Sequence, residues 1–336
     1  MVVNKLMLTP AYKVTLGDQQ VDTTDEPQAS TIVDLTITLN MDAPADSFTL
    51  ILGQVDGLQP QRGDEARIEL GYADNGGLSR VMTATVQAVE PSLITSRVTG
   101  HSPAAALLKG FADETFQNKK AGQIVRDLAG RAGVDVASTE DGIEFPAYVV
   151  DGRRSFHHHM RDLAGLCGFD LYINPDGQLV FKKFALSGAI PVFEYAKHVL
   201  ELQVEDSPPR AGSVEAFGES PGSSRGEESW AWLSKDFSGL KGSAGSGDPK
   251  LLLERPVLRT SQAARTAAVA AQTAIQRRTR RGRLLIQGSP EVKLGGAFRL
   301  REVPEEGLNA TYQVRRVIHR ITKAAGFTTE IGFRSL

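Results

Sequence analysis

In TIVDLTITLN, residues 31–40, Val33, Leu35, Ile37 and Leu39 alternate with polar side chains. A period of two marks a strand with one buried face, because successive side chains of extended backbone point to opposite sides. The pattern then recurs. SFTLILG, EARIELGY, RVMTATVQAVE and ITSRVTGH follow at short intervals with turn residues between them, and regular short strands of this kind predict an antiparallel barrel or sandwich. A second series, HVLELQVED, SVEAFG, GRLLIQG, AFRLREV, TYQVRRVIHRIT and FTTEIGF, closes the chain and predicts a second such body.

Between the two series the period changes to that of a helix. In NKKAGQIVRDLAGRAGVDV, Ile124, Val125, Leu128 and Ala132 share one side and Gly133 ends the run. Phe156, Met160, Leu163, Ala164 and Cys167 then recur at helical spacing, with Ser155 placed as N-cap and Gly168 as the stop. FDLYI and QLVFK, joined by NPDG, predict a hairpin after that helix. The expected fold is therefore α+β and mainly β: two antiparallel β-barrel domains, 1–106 and 191–336, flanking a small α/β domain at 107–190. The second barrel is expected to carry a Gly/Ser-rich insertion, 219–250, and one Ala-rich helix, 261–281, closed by Gly282.

Composition excludes several classes. A chain of 336 residues that is 41% hydrophobic and 23% charged has the ordinary usage of a soluble globular protein. No apolar run reaches the roughly 18 residues that span a bilayer, and Met1–Thr9 lacks a basic stretch followed by an apolar core. No membrane insertion and synthesis in a bacterial cytoplasm are the expectations. A single cysteine, Cys167, excludes an intrachain disulfide and a multi-cysteine zinc site. The net charge of −2 gives no general attraction to nucleic acid, although RRTRRGR at 277–283 is a local exception.

The candidate sites are few. His157, His158 and His159 are consecutive, and neighbours on a helix are about 100° apart, so they point three ways, whereas a helical metal site wants ligands at i and i+4. They are expected to form a solvated first turn with no metal and no catalytic role. The RGD at 62–64 reads as a turn before a strand. The arginines of 277–283 either face passing DNA or offset the macrodipole in the last turn of the helix, and the second reading is preferred. Trp230, Trp232 and Phe237 stand in the Gly/Ser-rich insertion, as an interface anchor or as a flap on their own barrel. No G-x-S-x-G, no P-loop, no H-E-x-x-H and no Cys–His signature around Cys167 is expected to carry chemistry, so no cofactor and no enzymatic activity are expected. A cell-wall hydrolase using paired carboxylates, or a peptidoglycan-binding module, is the alternative class.

The two strand series also resemble each other. Gly63 precedes Ala66, Ile68 and Leu70, then a turn, then Val86 to Val89; Gly295 precedes Phe298 and Leu300, then PEEG, then Tyr312, Val314 and Val317. Strands look alike, so coincidence and duplication both remain open at this point. Duplicated barrels would let a trimer present six similar bodies in a ring.

SFHHHMRDLAGLCGFDLYINPDGQLVFKK, with QIVRDLAGRAGV before it, LQPQRGDEARIELGY in the first series and QGSPEVKLGGAFRLREVPEEGLNATYQVRRVIHRITKAAGFTTEIGF at the end, resembles the late control gene D proteins of contractile-tailed phages. These are baseplate hub proteins, similar also to the N-terminal part of type VI secretion spike proteins. The resemblance spans nearly the whole chain, and its most specific piece is met by Gly288, Pro290, Leu294, Gly295, Tyr312, Val314 and His319. It implies two tail-tube-like barrels per chain and a homotrimeric hub. It further implies contacts with the tail tube protein, a spike protein, other baseplate proteins and the tape measure protein, in a virion tail or injection particle whose lumen passes DNA or cargo without sequence-specific binding. Two departures stand out: RVMTATV replaces a phenylalanine–glycine pair usual in the first barrel, and no spike domain follows Leu336, so the spike is expected to be a separate chain.

Overall fold

A computed structural model describes residues 9–24, 32–53, 58–74, 77–218 and 241–336. The architecture is α+β and mainly β. The N-terminal half-sheet contains β1 (Pro10–Leu16), β2 (Gln19–Asp22), β3 (Ile32–Asn40), β4 (Ser47–Gly53), β5 (Glu65–Tyr72), β6 (Gly77–Pro91) and β7 (Thr95–His101). A middle region follows with α1 (Ala104–Leu107), β8 (Glu114–Lys120), α2 (Ala121–Arg131), β9 (Val136–Thr139), β10 (Glu144–Val150), α3 (Phe156–Cys167), β11 (Phe169–Ile173) and β12 (Leu179–Lys183). The C-terminal part starts with β13 (Val192–Glu194) and β14 (Val199–Asp206), passes through β15 (Ser213–Phe217), β16 (Gly242–Gly245), β17 (Lys250–Glu254) and α4 (Ser261–Arg277), and ends with β18 (Arg280–Gln287), β19 (Ala297–Arg301), β20 (Thr311–Thr322) and β21 (Gly326–Ser335).

The two strand series are repeats of one pattern. In the first half the strands lie in the order β1-β5-β6-β7-β4-β3; in the second they lie in the order β13-β19-β20-β21-β18-β14. With β2 and the inserted β15–β17 left aside, the six strands of each half, numbered along the chain, occupy the same places. The irregularities coincide as well. The β3–β4 register shifts between Ile32 and Asp34, and the β14–β18 register shifts between Val199 and Glu201. The β6–β7 register shifts between Val86 and Ala88, and β20–β21 between Val314 and Arg316. A bulge is a local choice of one extra residue with its own twist, so two bulges at matching rungs are a far more specific signature than strand alternation. Gly63 and Gly295 both hold positive φ, 98° and 72°, where a side chain would be strained. From each the chain is tied to the next long strand, Val86 N–H to the Asp64 carbonyl and Val314 N–H to the Gly296 carbonyl.

One cross-strand pair has exchanged sides. Phe48 on β4 lies opposite Gly100 on β7, whereas in the second half Gly282 on β18 lies opposite Phe333 on β21. A Cβ on Gly100 would come within 2.3 Å of the Phe48 ring, and one on Gly282 within 2.6 Å of the Phe333 ring. Each half thus seats one aromatic ring over a glycine. The halves differ at their first strands, since β1 runs antiparallel to β5 but β13 runs parallel to β19.

The halves are also fused. β3 pairs antiparallel with β20 from Asn40↔Arg316 to Asp34↔Thr322, which makes one 13-stranded sheet with one apolar core, including Leu35, Ile37, Leu50, Ile68, Leu284, Phe298, Val317 and Ile331. The β3 bulge explains a departure from the expected alternation: Leu35, Ile37 and Leu39 are buried but Val33 is exposed, because the extra residue flips the phase and buries Ile32 instead.

The second core belongs to the helices. It joins α2, α3 and the β11–β12 hairpin to Val214, Ala216, Leu258 and the alanine face of α4. Residues 211–218 and 241–277, expected within the second barrel, therefore pack with the middle region; they belong to the stretch of chain between β14 and β18, at the place where the first half has only the turn 41–46. Part of the expected Gly/Ser-rich insertion 219–250 is strand, as β16 and the start of β17 beside β15. The helix ends at Arg277 and not at 281, and Gly282 lies within β18.

Candidate functional site

The histidines follow from how α3 is covered. Gly168 at φ 70° stops the helix as its sequence predicts. The apolar stripe faces α2 and β11, but β10 and α1 also close over the first turn. His157 and His159 are consequently buried and only His158 is exposed, which corrects the expectation of a solvated turn. His159 Nε2 lies 3.2 Å from the Asp151 carbonyl and Nδ1 3.3 Å from the Tyr148 hydroxyl. A carbonyl only accepts, so Nε2 carries the proton and Nδ1 accepts from Tyr148. His158 Nδ1 lies 2.9 Å from Ser155 Oγ at the helix start. Burial, helped by Arg161 and His158, pushes His157 down to about 4. Among the described residues no cluster of three or more His, Cys, Asp or Glu side chains is placed to hold a metal ion. Burial pushes the Cys167 thiol up to about 11, the reverse of what a nucleophilic thiolate requires.

Beside His157 a groove of about 660 Å³ runs between α3, α4 and the sheet. Its floor is an arginine–carboxylate network. Arg315 reaches Asp170 at 2.7 Å and Asp42 at 2.8 Å. Gln313 donates to Asp170 at 2.6 Å and accepts from Arg334 Nε at 2.7 Å. Burial, with Arg315 close by, lowers Arg334 to about 10. Asp170 stands on β11, whereas Gln313, Arg315 and Arg334 stand on β20 and β21, so this buried network bolts the middle region to the C-terminal half-sheet. Higher in the groove Arg277 lies 5.4 Å over the Phe184 ring, a cation–π stack.

The run at 277–283 is mostly strand. Arg280, Arg281 and Arg283 on β18 pair with Asp206, Glu205 and Glu201 of β14 at 2.6, 2.8 and 2.7 Å. The reading as a helix-terminal charge cluster is thus corrected. In RGRLLI, Gly282, Leu284 and Ile286 alternate with Arg281, Arg283 and Leu285, and each strand-facing carboxylate draws one arginine across the ladder. The resembling motif is a packing device. Gly288 accepts from the Tyr72 hydroxyl at 2.8 Å, Gly295 lies against Tyr172, Tyr312 donates to the Leu308 carbonyl at 3.0 Å, and His319 Nδ1 lies 3.0 Å from Thr329 Oγ1.

Trp230, Trp232 and Phe237 lie outside the described residues. So does GSSRG at 222–226, which corrects the expectation that the chain has no G-x-S-x-G spacing. No described helix is long and apolar enough to cross a membrane.

No protein-family model and no curated protein matches the chain. Solved structures do. A 43 kDa tail protein of prophage MuSo2 from Shewanella oneidensis superposes with a TM-score of 0.73 at 16% identity, over 97% of this chain and 98% of that one. A tail protein from Neisseria meningitidis gives 0.72 at 13% identity over 97% and 96%. An Escherichia coli type VI secretion component, described as similar to bacteriophage tail proteins, gives 0.58 at 9% identity over 96% and 77%. The fold is that of these tail proteins, along the full length of the chain.

Proposed function

We propose that the protein is a structural hub of the baseplate of a contractile phage tail or related injection particle. In this reading it is a homotrimer in which six half-sheets, two per chain, surround a channel. The ring meets the sixfold tail tube protein on one face and a threefold spike protein on the other, with further baseplate proteins around it. The channel holds the tape measure protein and passes DNA or protein cargo without reading sequence, and the protein acts without catalysis or cofactor.

The internal duplication carries this reading. Two copies of one strand pattern in a chain convert threefold into approximate sixfold symmetry, which is what an adaptor between a tube and a spike must do. The full-length likeness to tail proteins supports the tail setting. Trp230, Trp232 and Phe237 are assigned to contacts with a neighbouring protomer or a baseplate protein. Mass-resolved light scattering of the full chain, and imaging of the particle that contains it, should show three copies in a ring; a single copy per particle would overturn the reading.

A further inference from the structure

Arginines of this chain meet a carboxylate where the fold supplies one, as Arg280, Arg281 and Arg283 do across the β14–β18 ladder at 2.6, 2.8 and 2.7 Å. The groove between α3, α4 and the sheet is different. Seven cationic side chains line it against two carboxylates, Asp42 and Asp170, and Arg315 already holds both. The side chains of Lys183, Arg265 and Arg278 form no ion pair or hydrogen bond among the described residues. Arg277 lies over the Phe184 ring, and Arg161 donates to the Asp42 carbonyl at 2.8 Å. A chain with a net charge of −2 thus gathers a surplus of five positive charges in one groove. Like charges crowded together repel, and an anion that enters relieves them.

We propose that this groove is the docking site for an acidic segment of a partner protein, whose carboxylates meet the cations and whose apolar side chains lie on the surface between them. The hub reading makes that partner another baseplate protein; the chemistry of the groove does not depend on it. The spacing suits a peptide. Arg265 and Arg277 stand twelve positions apart on α4, about 18 Å. Between them Val269, Ala270, Thr273 and Ala274 line the groove, and Val269 is 49% exposed. Across from them, Gly165 of α3 leaves the groove open, since a Cβ there would meet nothing within 4 Å. Cations at the ends and an apolar stretch in the middle complement a ligand that carries both charge and apolar groups. The guanidinium fork accepts a carboxylate through two parallel hydrogen bonds. A nucleic acid strand would lay its phosphates over the apolar stretch and lack a ring to stack on, because Phe184 lies under Arg277 and Phe169 packs on Phe181 at 5.1 Å.

Fluorescence anisotropy on the full chain tests this with a labelled peptide of about sixteen residues, glutamate throughout except for leucine at every fourth position. The peptide should bind, and its counterpart with glutamine in place of glutamate should bind at least about ten-fold more weakly. Gly165→Glu sets a competing carboxylate in the open part of the groove and gives α3 a better helix former than glycine. Peptide affinity should fall at least about ten-fold in this variant while the melting temperature holds or rises. Arg265→Glu with Arg278→Glu should weaken binding as much and leave the melting temperature unchanged, since neither side chain bonds another described residue. Particles built with the Gly165→Glu chain should keep that chain and lose a neighbouring baseplate protein.

Peptide binding that survives both variants would overturn the proposal, as would particles of unchanged composition. A DNA strand of about sixteen nucleotides that binds more tightly than the peptide, and is lost in the same variants, would overturn it in favour of a nucleic-acid surface. A chain that binds the peptide in this groove yet forms no ring would support the docking site and overturn the hub reading. A ring whose groove takes no acidic peptide would do the reverse.

Discussion

His158 is the exposed member of its triplet, so His158→Gln should change stability by no more than about 0.5 kcal/mol. His159→Ala should cost about 1–3 kcal/mol, since it removes a buried ring that bonds the Tyr148 hydroxyl and the Asp151 carbonyl. Thermal melts of the two variants separate them, and equal effects would contradict the burial described. His319 sets a pH dependence. Burial holds it at about 3, below its ordinary 6.5, so the unfolded chain takes up this proton at a higher pH than the native one does. The corresponding stability is present above about pH 6.5 and is lost as pH falls toward 3. His157 titrates in the same direction. Denaturant midpoints between pH 7 and pH 4 should fall less steeply for His319→Gln than for the unaltered chain. The sequence could not place these histidines, because helical periodicity reveals the face that is apolar and says nothing of a second layer that packs over polar side chains.

At the level of elements, the exchanged Phe–Gly pair makes a quantitative test of the repeat. Phe48→Gly empties a buried site and should cost about 3–5 kcal/mol, and Gly100→Phe drives a ring into the one already there. The double variant recreates the arrangement of Gly282 and Phe333, so its destabilisation should fall short of the sum of the singles by about 1 kcal/mol or more. Additivity in denaturant unfolding would show that the halves do not share a core geometry. Much at this scale was legible. The strands announced themselves by alternation, α2 and α3 by periodicity, their ends by Gly133 and Gly168, and the β11–β12 turn by NPDG. The β18 arginines were misread because an Ala-rich helix running into RRTRRGR has no proline to end it, while the carboxylates that hold those arginines lie some 75 residues upstream on β14. Local pattern cannot report a partner so distant.

For the whole molecule, the division into bodies was only partly readable. The duplication showed as a faint echo around Gly63 and Gly295; matched bulges and matched strand order, which make it firm, are properties of pairing and not of composition. Where α4 packs was likewise hidden, since an alanine face fits either core. The β3–β20 junction has a consequence in time. Arg320 and Asp34, which clasp across it at 2.8 Å, are 286 positions apart. A ribosome adding about 5–20 residues per second needs roughly 15–60 s to travel that distance. Once β7 has emerged at His101, about 11–44 s of that interval remains, and each nascent chain then holds a finished N-terminal half with β3 bare, on a polysome where neighbouring chains offer the same strand. Chains that trade β20 for one another's during this window would emerge as swapped pairs, a hazard that comes from the order of synthesis and not from the stability of the finished fold.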